Sequence, residues 1–135
     1  MKILHKKLPA YNLQELLVVL VIIGILILIA MPNFTGVINN AKSIEAKQNL
    51  NAIESFQSSY RYMYNTYARD LDKIDFIPPK TAAQGGNAYF TYTIVSANKN
   101  DFIARATAAE DWDGDGIKNV WEINQDKQLV EVTKD

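Results

Sequence analysis

Six residues, Asp111-Trp112-Asp113-Gly114-Asp115-Gly116, set three carboxylates at alternate positions of a short segment that two glycines let turn tightly. Hard oxygen ligands at that spacing suit Ca²⁺ better than Zn²⁺. Counted from Asp111, Gly116 stands sixth, where a calcium loop makes its sharp turn, and Glu122 stands twelfth. The match to a helix-loop-helix site is partial. Lys118 replaces the usual apolar residue at the eighth position, and the flanks have the composition of strands, so an extended Val120–Ile123 would aim Glu122 elsewhere. A solvated Asp-Gly turn is the simpler alternative. Three acids crowded into six residues nevertheless repel unless a cation sits among them, which favours Ca²⁺ as cofactor, with Asp111, Asp113, Asp115 and Glu122 as its ligands.

The other chemically unusual residue is Glu15, a carboxylate directly before Leu16–Pro32, a run without one charged or hydrogen-bonding side chain. At the lip of a membrane span such a group is costly enough to need a partner. Little else suggests chemistry. The single histidine, His5, lies in a basic leader, there is no cysteine, and no nucleophile with its base can be assembled. An enzyme is not expected.

These groups need elements to position them, and the first is a membrane helix. No Asp, Glu, Lys or Arg occurs from Leu16 to Ala41, and about 20 apolar residues suffice to cross a hydrocarbon core. Lys2, Lys6 and Lys7 precede the span with no acid among them, which keeps the N-terminus cytoplasmic and sends the rest across. A secretory signal cut after its apolar stretch fits poorly, because Gly24 and Ala30 make weak sites and Glu15 would be out of place. A plain single-span anchor leaves Glu15 unpartnered.

The stretch Lys6-Lys7-Leu8-Pro9-Ala10, then Tyr11-Asn12-Leu13-Gln14-Glu15, then LLVVLVIIGILILIAMPNF, resembles the cleavage and methylation segment of type IV prepilins and pseudopilins. The order is the specific part: a basic leader, a small residue, an aromatic, an acid five positions in, and an apolar helix reaching Pro32. The resemblance covers about the first third of the chain. It implies cleavage between Ala10 and Tyr11, N-methylation of Tyr11, Glu15 as the acid of the motif and Pro32 as its helix-bending proline. Ala10 stands where Gly is most frequent in the family, and Tyr11 and Gln14 stand where Phe and an apolar residue are common. With Tyr11 as the terminus, its amine lies one helical turn from Glu15. That amine, or a neighbouring subunit's, can neutralise the acid, so assembly is favoured and its axial register is set. A snorkelling Glu at the cytoplasmic face is the plainer explanation. Gly24 and Pro32 both loosen the helix.

The helical pattern continues past the span. Lys42 to Tyr67 lacks Gly and Pro, and Ile44, Gln48, Leu50, Ile53, Phe56, Tyr60, Met63, Tyr64 and Tyr67 mark largely one face. One long helix from Asn12 to Tyr67 would reach about 80 Å. The aromatic stripe Phe56, Tyr60, Tyr64, Tyr67 is most simply core. After a loop from Asp70 to Gly86, four segments read as strands, Tyr89–Val95, Asp101–Thr107, Asn119–Ile123 and Leu129–Thr133, with a hairpin turn over Asn124–Lys127. The expected fold is α+β and pilin-like, one long N-terminal helix packed on a small antiparallel sheet. Its organisation would be a cleaved leader over residues 1–10, a transmembrane and filament-core helix over 11–34, an amphipathic helix over 35–67, and a head over 68–135 with the acidic loop at 111–122.

The full chain has 135 residues and a formal charge of −1; losing the three leader lysines would leave 11 basic against 15 acidic residues, a formal −4. That balance opposes generic nucleic-acid affinity, and no nucleic-acid partner is expected. The chain therefore reads as a structural subunit of a type IV pilus-like filament, either a pilin or a type II secretion pseudopilin. Some type II secretion pseudopilins bind calcium in a C-terminal loop, which leans weakly toward the latter. The resemblance implies as partners prepilin peptidase/methylase, inner-membrane assembly machinery and further copies of the chain. It places the subunit in the inner membrane, single-pass with its N-terminus inside, before a periplasmic or extracellular filament. The alternative of a different class is a non-polymerising, single-span, calcium-binding surface domain.

Overall fold

The computed structural model describes residues 12–31 and 34–135, as two compact units divided at Phe34/Thr35. In the first unit, helix α1 spans Leu13–Ala30. It has a mean hydropathy of 2.9, and none of its residues is buried. Met31, next to Pro32, has ψ 95° and stands outside the helix. A residue preceding proline is sterically disfavoured in the α region, which ends α1 one residue earlier than the proline itself would. The helical stretch expected from Asn12 to Tyr67 is described as α1 and α2, Phe34–Tyr64, with residues 32 and 33 between them outside the described residues.

In the second unit, α2 ends at Asn65, a left-handed residue (φ 56°) whose N–H donates to Arg61 O, a common way to stop a helix. Two short 3-10 turns, Leu71–Ile74 and Ala82–Gln84, punctuate the loop that follows. The strands are β1 (Phe90–Ala97), β2 (Phe102–Ala108), β3 (Val120–Asn124) and β4 (Leu129–Thr133), joined as an antiparallel meander in the order β1-β2-β3-β4. The α+β arrangement is as expected, and the strand boundaries differ from the sequence reading by no more than two residues at either end.

Sheet and helix meet through small residues. Ala104, Ala106 and Ala108 line the buried face of β2, while Ile103, Arg105 and Thr107 alternate onto the other face. Their lack of bulk lets Ala46, Leu50 and Ile53 of α2 join them in one core with Phe90, Phe102 and Ile123. The buried face of α2 differs from the expected one. It runs Ser43, Ala46, Leu50, Ile53, Glu54, Gln57. Of the residues predicted for it, Ile44, Gln48, Phe56, Met63 and Tyr64 are exposed, whereas Tyr60 and Tyr67 pack on the core margin. Polar groups displaced apolar ones because they have partners. Gln57 bonds both backbone groups of Ala68, and Ser43 Oγ and Ser58 Oγ donate to Asn39 O and Glu54 Oε1 respectively.

Candidate functional site

The acidic loop is the excursion between β2 and β3. Its base is closed where Ala108 N–H donates to Asn119 O and Ala109 N–H donates to Tyr89 O, each at 2.8 Å. Asn119 is 1% exposed. Its Nδ2 donates to Glu131 Oε1 and Thr133 O, and its Oδ1 accepts the indole N–H of Trp121, so one buried amide ties β3 to β4 at the loop's exit. Lys118 Nζ donates back across the base to Ala109 O.

Inside the loop the carboxylates organise the backbone. Asp111 accepts N–H bonds from Gly114 (2.7 Å) and Gly116, Asp113 from Asp115 (3.0 Å), and Asp115 from Ile117 (2.7 Å). Gly114 and Gly116 hold φ of 83° and 88°, a region that costs other residues energy, which is why Asp-Gly pairs recur here. The first two acids of the motif titrate in opposite directions. The Gly116 N–H, helped by that of Gly114, holds Asp111 below the ordinary 3.8. For Asp113 the Asp115 N–H pulls downward, but desolvation and the charges of Asp115, Asp135 and Asp111 together outweigh it and push the group up.

Asp135 is the residue that the sequence reading missed. One carboxylate oxygen from each of Asp111, Asp113, Asp115 and Asp135 can be chosen so that all four lie within 4.8 Å of one another. Trp112 N–H fixes Asp135 through Oδ2 at 2.8 Å, and Asn39 Nδ2 reaches its backbone carbonyl. Its Oδ1 is buried and has no hydrogen-bond partner among the described residues. Glu122, the expected twelfth-position ligand, is not in this group. It lies in β3 directly opposite Arg105 of β2, whose Nε donates to Glu122 Oε1 at 2.7 Å. An exiting helix would curl the twelfth residue back toward the loop, whereas a strand advances about 3.3 Å per residue and carries it away. A signal for Asp135 existed in the register. With Val120 paired to Thr133, the β3–β4 hairpin returns residue 135 beside the segment that leaves the loop.

At the N-terminal site, Glu15 lies in the first turn of α1, where its Oε2 accepts the Asn12 N–H at 3.3 Å. An acid there also faces the positive end of the helix dipole. Gly24 sits mid-helix with open space where a side chain would project. Ala10, Tyr11 and Pro32 lie outside the described residues.

A family described as "Type IV minor pilin ComP, DNA uptake sequence receptor" matches this chain over residues 32–116. The type IV major pilin protein PilA of Myxococcus xanthus (strain DK1622) is 38% identical over 79 residues, 58% of this chain. The match spans about a third, 34%, of that relative's length. An apolar N-terminal helix, a head of one helix on an antiparallel meander, and these two matches agree on a structural, non-enzymatic subunit of the pilus type. The chain belongs to the type IV pilin family.

Proposed function

We propose that the chain is made as a precursor, cut between Ala10 and Tyr11, methylated at Tyr11, and polymerised through its N-terminal helix into a pilus or secretion pseudopilus. The supporting observation is α1 itself, 18 residues at hydropathy 2.9 with none buried and Glu15 as the only charge. Such a helix is covered by lipid before assembly and by like helices afterwards. Prepilin peptidase/methylase and an inner-membrane assembly machine act on it, and the Lys-rich leader holds its N-terminus on the cytoplasmic side. Glu15, Gly24 and Pro32 are the assembly residues. The Asn12 N–H satisfies one oxygen of Glu15 locally, so the amine of a neighbouring Tyr11 competes with a capped acid rather than a bare one. Two substitutions separate these roles. Glu15→Gln keeps a capping acceptor and loses the charge, whereas Glu15→Val loses both. Both are expected to leave monomers in the membrane; normal filaments from Glu15→Gln would remove the charge-pairing role. Mass spectrometry of the purified chain tests processing, and an intact Met1 terminus would sink it.

The acidic loop is proposed to hold Ca²⁺ through Asp111, Asp113, Asp115 and, in place of Glu122, Asp135. The support is the buried, unpartnered Asp135 Oδ1 among three further carboxylates, an arrangement that a hard cation satisfies and a solvated turn does not. A head whose melting temperature is unmoved by chelator would count against it. The matching family is described as a DNA uptake receptor. In this chain the mature balance of 11 basic to 15 acidic residues works against a phosphate backbone, and we assign the filament role alone.

A further inference from the structure

A cavity of about 550 Å³ opens in the head between α2, the loop preceding β1 and the entry to the acidic loop. That volume lies within the range of small-molecule sites. Its wall is built in advance. Thr81 O accepts from Gln84 and Gly86, Lys80 O accepts from Ala88, and Thr81 pairs with Ala88 as an isolated bridge. A Cβ on Gly86 would collide with the Lys80 carbonyl, so the two sides of this loop are in direct backbone contact. A wall that needs no ordering on binding saves that entropy.

Two charges of opposite sign line the cavity, and neither makes an ion pair among the described residues. Lys42 places its ammonium 4.9 Å from the ring centre of Trp112 and 5.5 Å from that of Tyr89. The rings hold the cation in place and leave its N–H groups without a carboxylate. Glu110 lines the same cavity and accepts no hydrogen bond among the described residues. The rest of the lining is mixed, with small alanines beside the two aromatic rings and Thr81 and Asn87 as its polar side chains.

We propose that this cavity binds a zwitterion of amino-acid to dipeptide size with an apolar side chain, its carboxylate on Lys42, its ammonium on Glu110 and its side chain against Trp112 and Tyr89. A simple anion would meet Glu110, and a simple cation would meet Lys42; only a ligand carrying both charges is favoured by both.

The test is a titration of the full chain in detergent micelles at fixed calcium with phenylalanine, N-acetylphenylalanine, phenylalanine amide and glycine, read from the indole N–H resonances of Trp112 and Trp121. Phenylalanine is expected to move Trp112 saturably and Trp121 little. Each capped analogue should bind at least about tenfold more weakly, as should phenylalanine to Glu110→Gln and to Lys42→Met, since a lost charged hydrogen bond costs about 1.5–3 kcal/mol. Glu110 is exposed, so its variant keeps the test valid if Lys42→Met disturbs the rings. No saturation by phenylalanine, equal affinity for the acetylated form, or unchanged affinity in Glu110→Gln would each overturn the assignment.

Discussion

Gln57 has no exposed surface, and its amide satisfies both polar groups of one distant residue, with Nε2 donating to Ala68 O and Oε1 accepting from Ala68 N–H, each at 2.8 Å. The pair pins the chain just after it leaves α2. Gln57→Leu keeps the volume roughly constant and recovers about 1 kcal/mol of apolar burial. It also leaves a peptide N–H and a carbonyl without partners inside the core, at about 1–3 kcal/mol each. The balance is a loss of about 1–5 kcal/mol. For a unit of this size, at about 4–8 °C per kcal/mol, the melting temperature should fall by roughly 4–40 °C. Near-UV circular dichroism of the full chain in detergent, which follows the aromatic head rather than α1, measures it. Gln48→Leu on the exposed face of α2 is the control and should stay within about 0.5 kcal/mol of the parent. A Gln57→Leu protein melting within 2–3 °C of the parent, roughly the effect of 0.5 kcal/mol, would refute the clamp, because the Ala68 groups would then have other partners.

Asp135→Asn should abolish the calcium-dependent rise in melting temperature, which at 100 times Kd is worth about 2.7 kcal/mol, while Glu122→Gln should keep it; the reverse result would restore the twelfth-position ligand. The calcium effect should shrink as pH falls through the raised value of Asp113, since protons and cation compete for that carboxylate, and a titration of the shift between pH 7 and 4 shows it. Without calcium the two acids oppose each other. Asp113 binds its proton more tightly folded than unfolded, so its contribution grows as pH drops through its raised value, whereas Asp111's is present above 3.8 and is lost as pH falls through its lowered value. Asp111→Asn should therefore flatten the acid limb of stability and Asp113→Asn should steepen it; thermal melts across that range would refute this by showing no difference. Gly86→Ala should destabilise the head by about 1–3 kcal/mol through overpacking against Lys80, and a neutral effect would mean that the loop is not held as described.

The strands and the hairpin were legible because each carries local information: alternation in Phe102–Thr107 and turn residues at Asn124–Lys127. The acids of the loop were legible for the same reason. The buried face of α2 was not. Ile44 and Phe56 outrank Ser43 and Gln57 on any hydrophobic count, yet the helix has apolar residues on two sides, and long-range hydrogen bonds decide which side is covered. Met31 ended α1 through a steric rule that was available in the sequence, since Pro32 was visible and its effect falls on the residue before it. Asp135 needed the register of β3 on β4, a tertiary fact, before it could join residues more than twenty positions away.

The two acidic sites answer the same electrostatic problem in different ways. In the head, Asp111 gathers two glycine N–H groups and its charge is largely satisfied by the backbone, but desolvation and the charges of Asp115, Asp135 and Asp111 leave Asp113 raised, and Asp135 Oδ1 has no hydrogen-bond partner among the described residues. Local hydrogen bonding does not absorb that excess among the described residues, which is the ground for the cation proposed there. At Glu15 the excess is a single charge, and one N–H with the helix dipole already lowers its cost. Under the proposed processing and polymerisation, a residual cost that is small but repeated in every subunit suits reversible growth of a filament: the monomer is stable enough to wait in the membrane, and a neighbouring amine improves on its cap by forming a full ion pair away from water.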